Sequence, residues 1–260
     1  MTYKALFLDI DGTILKQDHT YTDLTKQAIK QAKQRGLEVF LATGRPLHEI
    51  HDLAEELSID SFIGYNGAYA VHQKEVIVNE TMDKNVVQQL LKIANEHGHE
   101  MTLYTNGINY FTNLIDPHVQ RFIEIFQMNK NKVYEDAASQ HVLGMTVMKL
   151  EPHQPSIYEI EPNLRLSQVN IEGATHAYDI LRTNVNKGEA IKKILDLLQI
   201  PPEQAIAFGD GMNDKEMFET VGASFAMDNA HPDVFQYAKY RTASVDDSGV
   251  YEGLKKLGVI

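Results

Sequence analysis

Ala5-Leu6-Phe7-Leu8-Asp9-Ile10-Asp11-Gly12-Thr13 is an apolar segment that ends abruptly in two carboxylates two residues apart, followed by glycine. A continuous apolar run of this length is the pattern of a strand buried on both faces of a parallel sheet. The carboxyl end of such a strand opens onto the crevice where α/β proteins bind ligands. Two negative charges placed there repel each other unless a cation lies between them, and a divalent metal ion is the simplest candidate. Taken alone, Asp-Gly after a strand also reads as an ordinary turn.

Three further segments repeat the arrangement. Val39-Phe40-Leu41-Ala42-Thr43-Gly44-Arg45 is a second apolar strand, ending in a hydroxyl and a glycine. Asn186-Lys187-Gly188 opens a helix-period segment through Ala190, Ile191, Ile194, Leu195 and Leu198, and Ala205-Ile206-Ala207-Phe208 runs into Gly209-Asp210-Gly211-Met212-Asn213-Asp214. Each places polar groups at a strand end or a helix start. In this order DIDGT, ATGR, NKG and GDGMND resemble the four signature motifs of the haloacid dehalogenase superfamily, and most of all its Cof-like Mg-dependent phosphatases. Asn66-Gly67-Ala68 after a third strand, Phe62-Ile63-Gly64-Tyr65, and a long insertion between the second and third motifs point to that branch. The resemblance covers both ends of the chain and leaves the middle unmatched.

With 260 residues and 43% hydrophobic content, the chain can bury one sizeable core and a second, smaller one. It has no cysteine, so thiolate metal sites, disulfides and cysteine nucleophiles are excluded. The net charge of -12 argues against nucleic acid or an anionic membrane as partner, since both are bound through clustered Lys and Arg. An anionic substrate would then need positive charge supplied locally, by a metal ion and Lys187. No apolar stretch approaches the roughly 20 residues that span a bilayer, and the expected location is cytoplasmic.

Helix and strand patterns alternate at both ends. Leu24, Ala28 and Ala32 recur at four-residue spacing with Gly36 in the position of a helix-terminating glycine, and Leu47, Ile50, Leu53 and Leu57 repeat the pattern. Such alternation with short connections predicts a parallel sheet. The middle reads differently. A helix over 86–97 is followed by strands over 100–105 and 109–113, separated by the hairpin dipeptide Asn106-Gly107, then by a helix over 118–126 and strands over 142–150, 164–169 and 177–181. A doubled helix-strand-strand unit is one reading of this block. The expected fold is α/β, a Rossmann-like parallel sheet flanked by helices with an inserted α+β cap, divided as core 1–81, cap 82–182 and core 183–260.

The resemblance implies hydrolysis of a phosphate monoester in two displacements. Asp9 is the expected nucleophile, forming an aspartyl phosphate. Asp11 is the expected general acid for the leaving oxygen and later the base for water. Asp9, the Asp11 backbone carbonyl and Asp210 would hold one Mg²⁺, an ion that prefers oxygen ligands in octahedral geometry. Thr43, Gly44, Lys187, Asn213 and the Ile10 amide would clamp the phosphoryl oxygens, with Asp214, Arg45 and Asn66 supporting them. The substrate implied is a small phosphorylated metabolite such as a sugar phosphate. A phosphomutase would share the same residues, and a non-catalytic phosphometabolite-binding protein would have no need of both Asp9 and Asp11.

Other motifs carry less. His48-Glu49-Ile50-His51 is one residue short of a zinc-binding HExxH helix, and nearly all the histidines read as surface or hydrogen-bonded residues. No GxxxxGK[ST] or GxGxxG occurs, which leaves P-loop and dinucleotide readings without support.

Overall fold

The computed structural model describes residues 2–169 and 171–260. The chain forms two compact units. One holds the residues up to Arg45, His51–Val78 and Asn186–Ile260, and the other holds Pro46–Ile50 and Asn79–Val185.

The first unit opens with β1 (Ala5–Leu8), α1 (Asp23–Gln34), β2 (Glu38–Ala42), α2 (His51–Glu56), β3 (Phe62–Gly64), β4 (Tyr69–His72) and β5 (Glu75–Asn79). All four residues of β1 are buried, as a strand covered on both faces requires. Thr22 caps α1 by accepting the Thr25 N–H, and Gly36 follows its last turn at φ +84°. The buried stripe of α1 is Thr25, Ala28, Ile29 and Ala32. Leu24, expected on that face, is 43% exposed because it lies beyond the edge of the stripe, about 40° of helix from Ala28. The Leu47–Leu57 pattern is not one helix. It breaks into a 3₁₀ turn, Leu47–Glu49, and the short α2, and only Ile50, Ala54 and Leu57 are buried.

The second unit contains α3 (Lys84–His97), β6 (Glu100–Tyr104), β7 (Asn109–Phe111), α4 (Pro117–Ile125), β8 (Asn131–Val133), β9 (Gly144–Met148), β10 (Leu164–Gln168) and β11 (Tyr178–Arg182). Its mixed sheet has the order β10-β11-β9-β6-β7-β8, with β7 and β8 parallel and the other neighbours antiparallel. The Asn106-Gly107 hairpin forms between β6 and β7, with Gly107 at φ +110°. Met101, Leu103, Val147 and Ile180 pack with Val87, Leu90 and Ala94 of α3, while Phe111 and Met148 pack with Val119 and Phe122 of α4. The helix-strand-strand unit is not repeated as a hairpin, since β8 and β9, which follow α4, lie apart in the sheet. Arg182 fastens the base of this unit through its guanidinium, which donates to the carbonyls of Glu80, Thr81 and Leu143.

The chain then returns to the first unit as α5 (Lys187–Leu198), β12 (Ala205–Gly209), α6 (Lys215–Thr220), β13 (Ala223–Ala226), β14 (Tyr240–Arg241) and α7 (Gly249–Lys256). The sheet order is β14-β13-β12-β1-β2-β3-β4-β5, parallel from β14 to β3, with β4 reversed against β3. Phe7 and Phe40 stack at 5.0 Å inside a core that includes Ile191, Ile194, Met217 and Phe218 of α5 and α6. The order places β1 and β12 side by side, so their carboxyl ends and the acids that follow them emerge together.

Candidate active site

Asp9 follows β1 directly and is 6% exposed. Its neighbour Ile10 is fully buried, and the Ile10 carbonyl accepts N–H groups from Thr13, Ile14 and Leu15, which turns the chain sharply after the strand. Gly12 takes φ +80° in this turn, and a methyl group on its Cα would overlap the Asp210 carboxylate. Asp210 and Asp214 come from the β12 side. A side chain at Gly209 would overlap Asp214, so this glycine lets the acid approach the strand end.

Lys187 is the first residue of α5, whose start is fixed by Asn186 accepting the Glu189 N–H at 2.9 Å. Fully buried, Lys187 donates from Nζ to Asp9 Oδ1 at 2.6 Å and to Asp214 Oδ1 at 2.7 Å. The second oxygen of Asp214 accepts the N–H groups of Asp210 and Gly211, both at 3.0 Å. Asp214 is therefore occupied on both oxygens and acts by holding Lys187 and the Asp210 loop in place. Thr13, which the motif reading passed over, donates from Oγ1 to Asp210 Oδ1 at 3.4 Å. Its signal was its place directly after Asp-Gly.

Asp9, Asp210 and Asp214 each offer an oxygen within 4.8 Å of the others. One ammonium faces three carboxylates here, and the acids respond. Burial pushes the Asp9 carboxyl well up, and the charges of Asp214 and Asp210 add to that while Lys187 opposes it. Asp210 is pushed up to about 7, by burial first and then by Asp214, with Lys187 again opposing. Burial works against the charge of Lys187, yet Asp214 and Asp9 outweigh it and raise its pKa, so the ammonium form persists. A hard divalent cation bound through oxygen would relieve this excess of negative charge, and the free oxygens of Asp9 and Asp210 are the donors it would take. The residues fit such an ion.

Two further groups of expected residues surround this cluster. Thr43 is buried just past β2, where its hydroxyl accepts the Arg45 N–H at 3.0 Å, its N–H donates to Ile63 and its carbonyl accepts from Asn66. Asn213 donates from Nδ2 to Asn66 Oδ1 at 3.0 Å, and the Asn66 side chain lies against Gly44. Asn66 takes φ +53°, directly after Tyr65 at +52°, a pair of left-handed residues that aims the amide. The Asp11 side chain is gripped by Arg45, and its charge adds to the upward push on Asp210. His99, by contrast with the catalytic groups, is a hydrogen-bonded core residue of the second unit, shared between Tyr158 and Gln154.

His48 departs from the expectation for the histidines. Its side chain is 5% exposed, Nε2 lies 3.8 Å from Glu49 Oε1, and neither ring nitrogen makes a hydrogen bond. Among the described residues no helix is long and apolar enough to cross a membrane.

The chain is similar to known proteins over nearly its whole length. The family model described as haloacid dehalogenase-like hydrolase matches residues 6–254. A putative phosphatase of Bacillus subtilis is 30% identical over the whole of both chains. The 5-amino-6-(5-phospho-D-ribitylamino)uracil phosphatase of the same organism is 28% identical, covering 96% of this chain and 95% of its own. A solved structure described as a subclass IIB sugar phosphatase superposes with a TM-score of 0.85 at 27% identity, covering 99% of this chain and all of its own.

Proposed function

Because this chain belongs to the haloacid dehalogenase-like hydrolase family, we propose that it is a Mg²⁺-dependent phosphatase of small phosphorylated metabolites, acting through an aspartyl phosphate on Asp9. The observation that carries the reading is Lys187, a buried ammonium between Asp9 and Asp214 at the mouth of β1 and β12. It holds the Asp9 carboxylate in one orientation and gives an incoming phosphoryl group its only buried side-chain ammonium within hydrogen-bond reach of that acid among the described residues.

In this reading Asp9 attacks phosphorus in line with the leaving oxygen, and the bond to that oxygen breaks as the acyl phosphate on Asp9 forms. Asp11, protonated at the start, delivers its proton to the leaving oxygen and then, as the carboxylate, takes one from the water that hydrolyses the acyl phosphate and releases inorganic phosphate. Thr43, the amides of Ile10 and Gly44, Lys187 and Asn213 hold the equatorial oxygens, with Arg45 and Asn66 supporting them. Asp9, the Asp11 carbonyl and Asp210 would hold Mg²⁺, which when bound neutralises charge on the phosphoryl oxygens. Residues 82–182 act as the cap that selects among phosphoesters, and hydroxyl-rich substrates such as sugar phosphates are favoured by the likeness to the subclass IIB sugar phosphatase.

The test is a panel of phosphorylated metabolites assayed for inorganic phosphate with Mg²⁺, with excess chelator and with Ca²⁺. Release of phosphate only with Mg²⁺, and inhibition by the larger Ca²⁺, are the expected results. Full activity in excess chelator would overturn the metal dependence, and isomerised phosphoester in place of free phosphate would overturn hydrolysis.

A further inference from the structure

We propose that Asn229 is a positioning residue that braces the loops carrying Asp11 and Asp210 and so sets the affinity of the site for its divalent cation. The proposal rests on the reading of those two loops as the source of metal ligands. Asn229 lies past β13, 217 residues from Gly12.

Its amide works in two directions. Nδ2 donates to the Gly12 carbonyl at 2.8 Å, and Oδ1 accepts the Val245 N–H at 2.8 Å. A carbonyl can only accept and a backbone N–H can only donate, so the two partners fix which way the amide faces. The Gly12 carbonyl belongs to the peptide plane immediately after the one that bears the Asp11 carbonyl. On that earlier plane the Gly12 N–H donates to Leu15 at 2.8 Å. In a trans peptide the carbonyl points opposite to its N–H, so the Asp11 carbonyl is directed away from Leu15. Asn229 pins the second plane, and the pair together locks Gly12 at φ +80°, a conformation in which glycine is otherwise free to move.

The same short loop holds the other acid. Met227 donates its N–H to the Gly209 carbonyl at 3.0 Å, and His231 donates its N–H to the Asp210 carbonyl at 3.3 Å. Residues 227–231 thus fasten the turn after β1 and the turn after β12 to one another. The Val245 contact anchors this loop in turn to the segment that precedes α7. Groups that orient metal-bearing elements from outside the ligand set are commonly worth 10–100-fold in metal affinity.

Two substitutions separate bracing from charge. Asn229→Ala removes both arms of the amide. Asn229→Asp keeps the shape and the acceptor for Val245 but loses the donor to Gly12, and it adds a negative charge near the site. Charge alone would tighten cation binding, whereas loss of the brace weakens it. Mg²⁺ affinity is measured on the free protein by calorimetric titration and by the rise in Tm with Mg²⁺ concentration, alongside turnover of an aryl phosphate. The expected result is about a tenfold weaker Mg²⁺ affinity in both variants. KM at saturating Mg²⁺ should stay within about twofold of the wild type. If Asn229→Ala fails to fold, Asn229→Asp decides alone. Mg²⁺ binding by Asn229→Asp equal to or tighter than wild type would overturn the brace. A wild-type protein that neither binds Mg²⁺ nor releases phosphate would overturn the functional reading instead, and the brace with it.

Discussion

Arg45 grips Asp11 through both carboxylate oxygens, with Nε donating to Oδ2 at 2.7 Å and a terminal nitrogen donating to Oδ1. This two-pronged contact orients the acid, and it also occupies the oxygens that would hand a proton to a leaving group. Proton delivery therefore requires the guanidinium to give up one of them. Arg45→Lys keeps the charge but not the fork, and should lower kcat about tenfold with little change in KM. Asp11→Asn should cripple hydrolysis of alkyl phosphates while sparing the first step with an activated aryl ester, whose leaving group needs little protonation. Rapid-mixing kinetics would show a burst of aryl alcohol with retained phosphoenzyme. Equal loss of the first step for both ester types would mean that the Asp11 carboxylate serves by its contact with Arg45 and not by delivering the proton.

Asp9→Asn is nearly isosteric and should leave the fold intact, while removing the charge that attacks phosphorus. Turnover should fall by several powers of ten, as is usual when a nucleophile is deleted. Residual activity above about one per cent, with a native circular dichroism spectrum, would remove Asp9 from that role.

The first unit was legible because its strands are apolar runs stopped by chemically unusual residues, and β1, β2 and β12 each end where a motif begins. The elements that escaped have weak local signals. β8 is the three-residue Asn131–Val133 at the sheet edge, with Val133 exposed, so no alternation of apolar and polar residues marks it. The turn between β4 and β5 uses Gln73 and Lys74, at φ +47° and +75°, in place of the Asn or Gly that would have announced a hairpin. The site divides along the same line. Asp9, Asp210 and Lys187 announce themselves by position, whereas the Asn229 contact with Gly12 spans 217 residues and depends on how β13 emerges from the sheet. No spacing rule reaches that far.

Lys187 is as much a structural residue as a chemical one. Replacing it by Met would leave Asp9 and Asp214 buried without their cation, a change that destabilises proteins by about 3–5 kcal/mol. Chemical denaturation of Lys187→Met should show a loss in that range. Mg²⁺ should restore part of it by supplying charge to Asp9. A loss below about 0.5 kcal/mol, the scale of a surface substitution, would show that the buried pairs do not act as a network.

His48 gives the protein a predictable weakness toward acid. Burial first, and the charge of Lys130 second, hold its ring down to about 4, with Asn109 nearby acting the other way. In the unfolded chain the same ring takes a proton near pH 6.5. Between those values the unfolded state binds the additional proton, so the stability contributed by the neutral ring is present above pH 6.5 and is lost as the pH falls toward 4. From pH 7.5 to pH 5 this amounts to about 2 kcal/mol. His48→Phe preserves a buried ring and has nothing to titrate, so its stability should fall less over that interval by about the same amount. Urea unfolding of both proteins at the two pH values measures the difference directly. Parallel pH dependences would mean that the ring of His48 is already protonated in the folded protein at pH 5, and that its burial does not carry the penalty assigned to it.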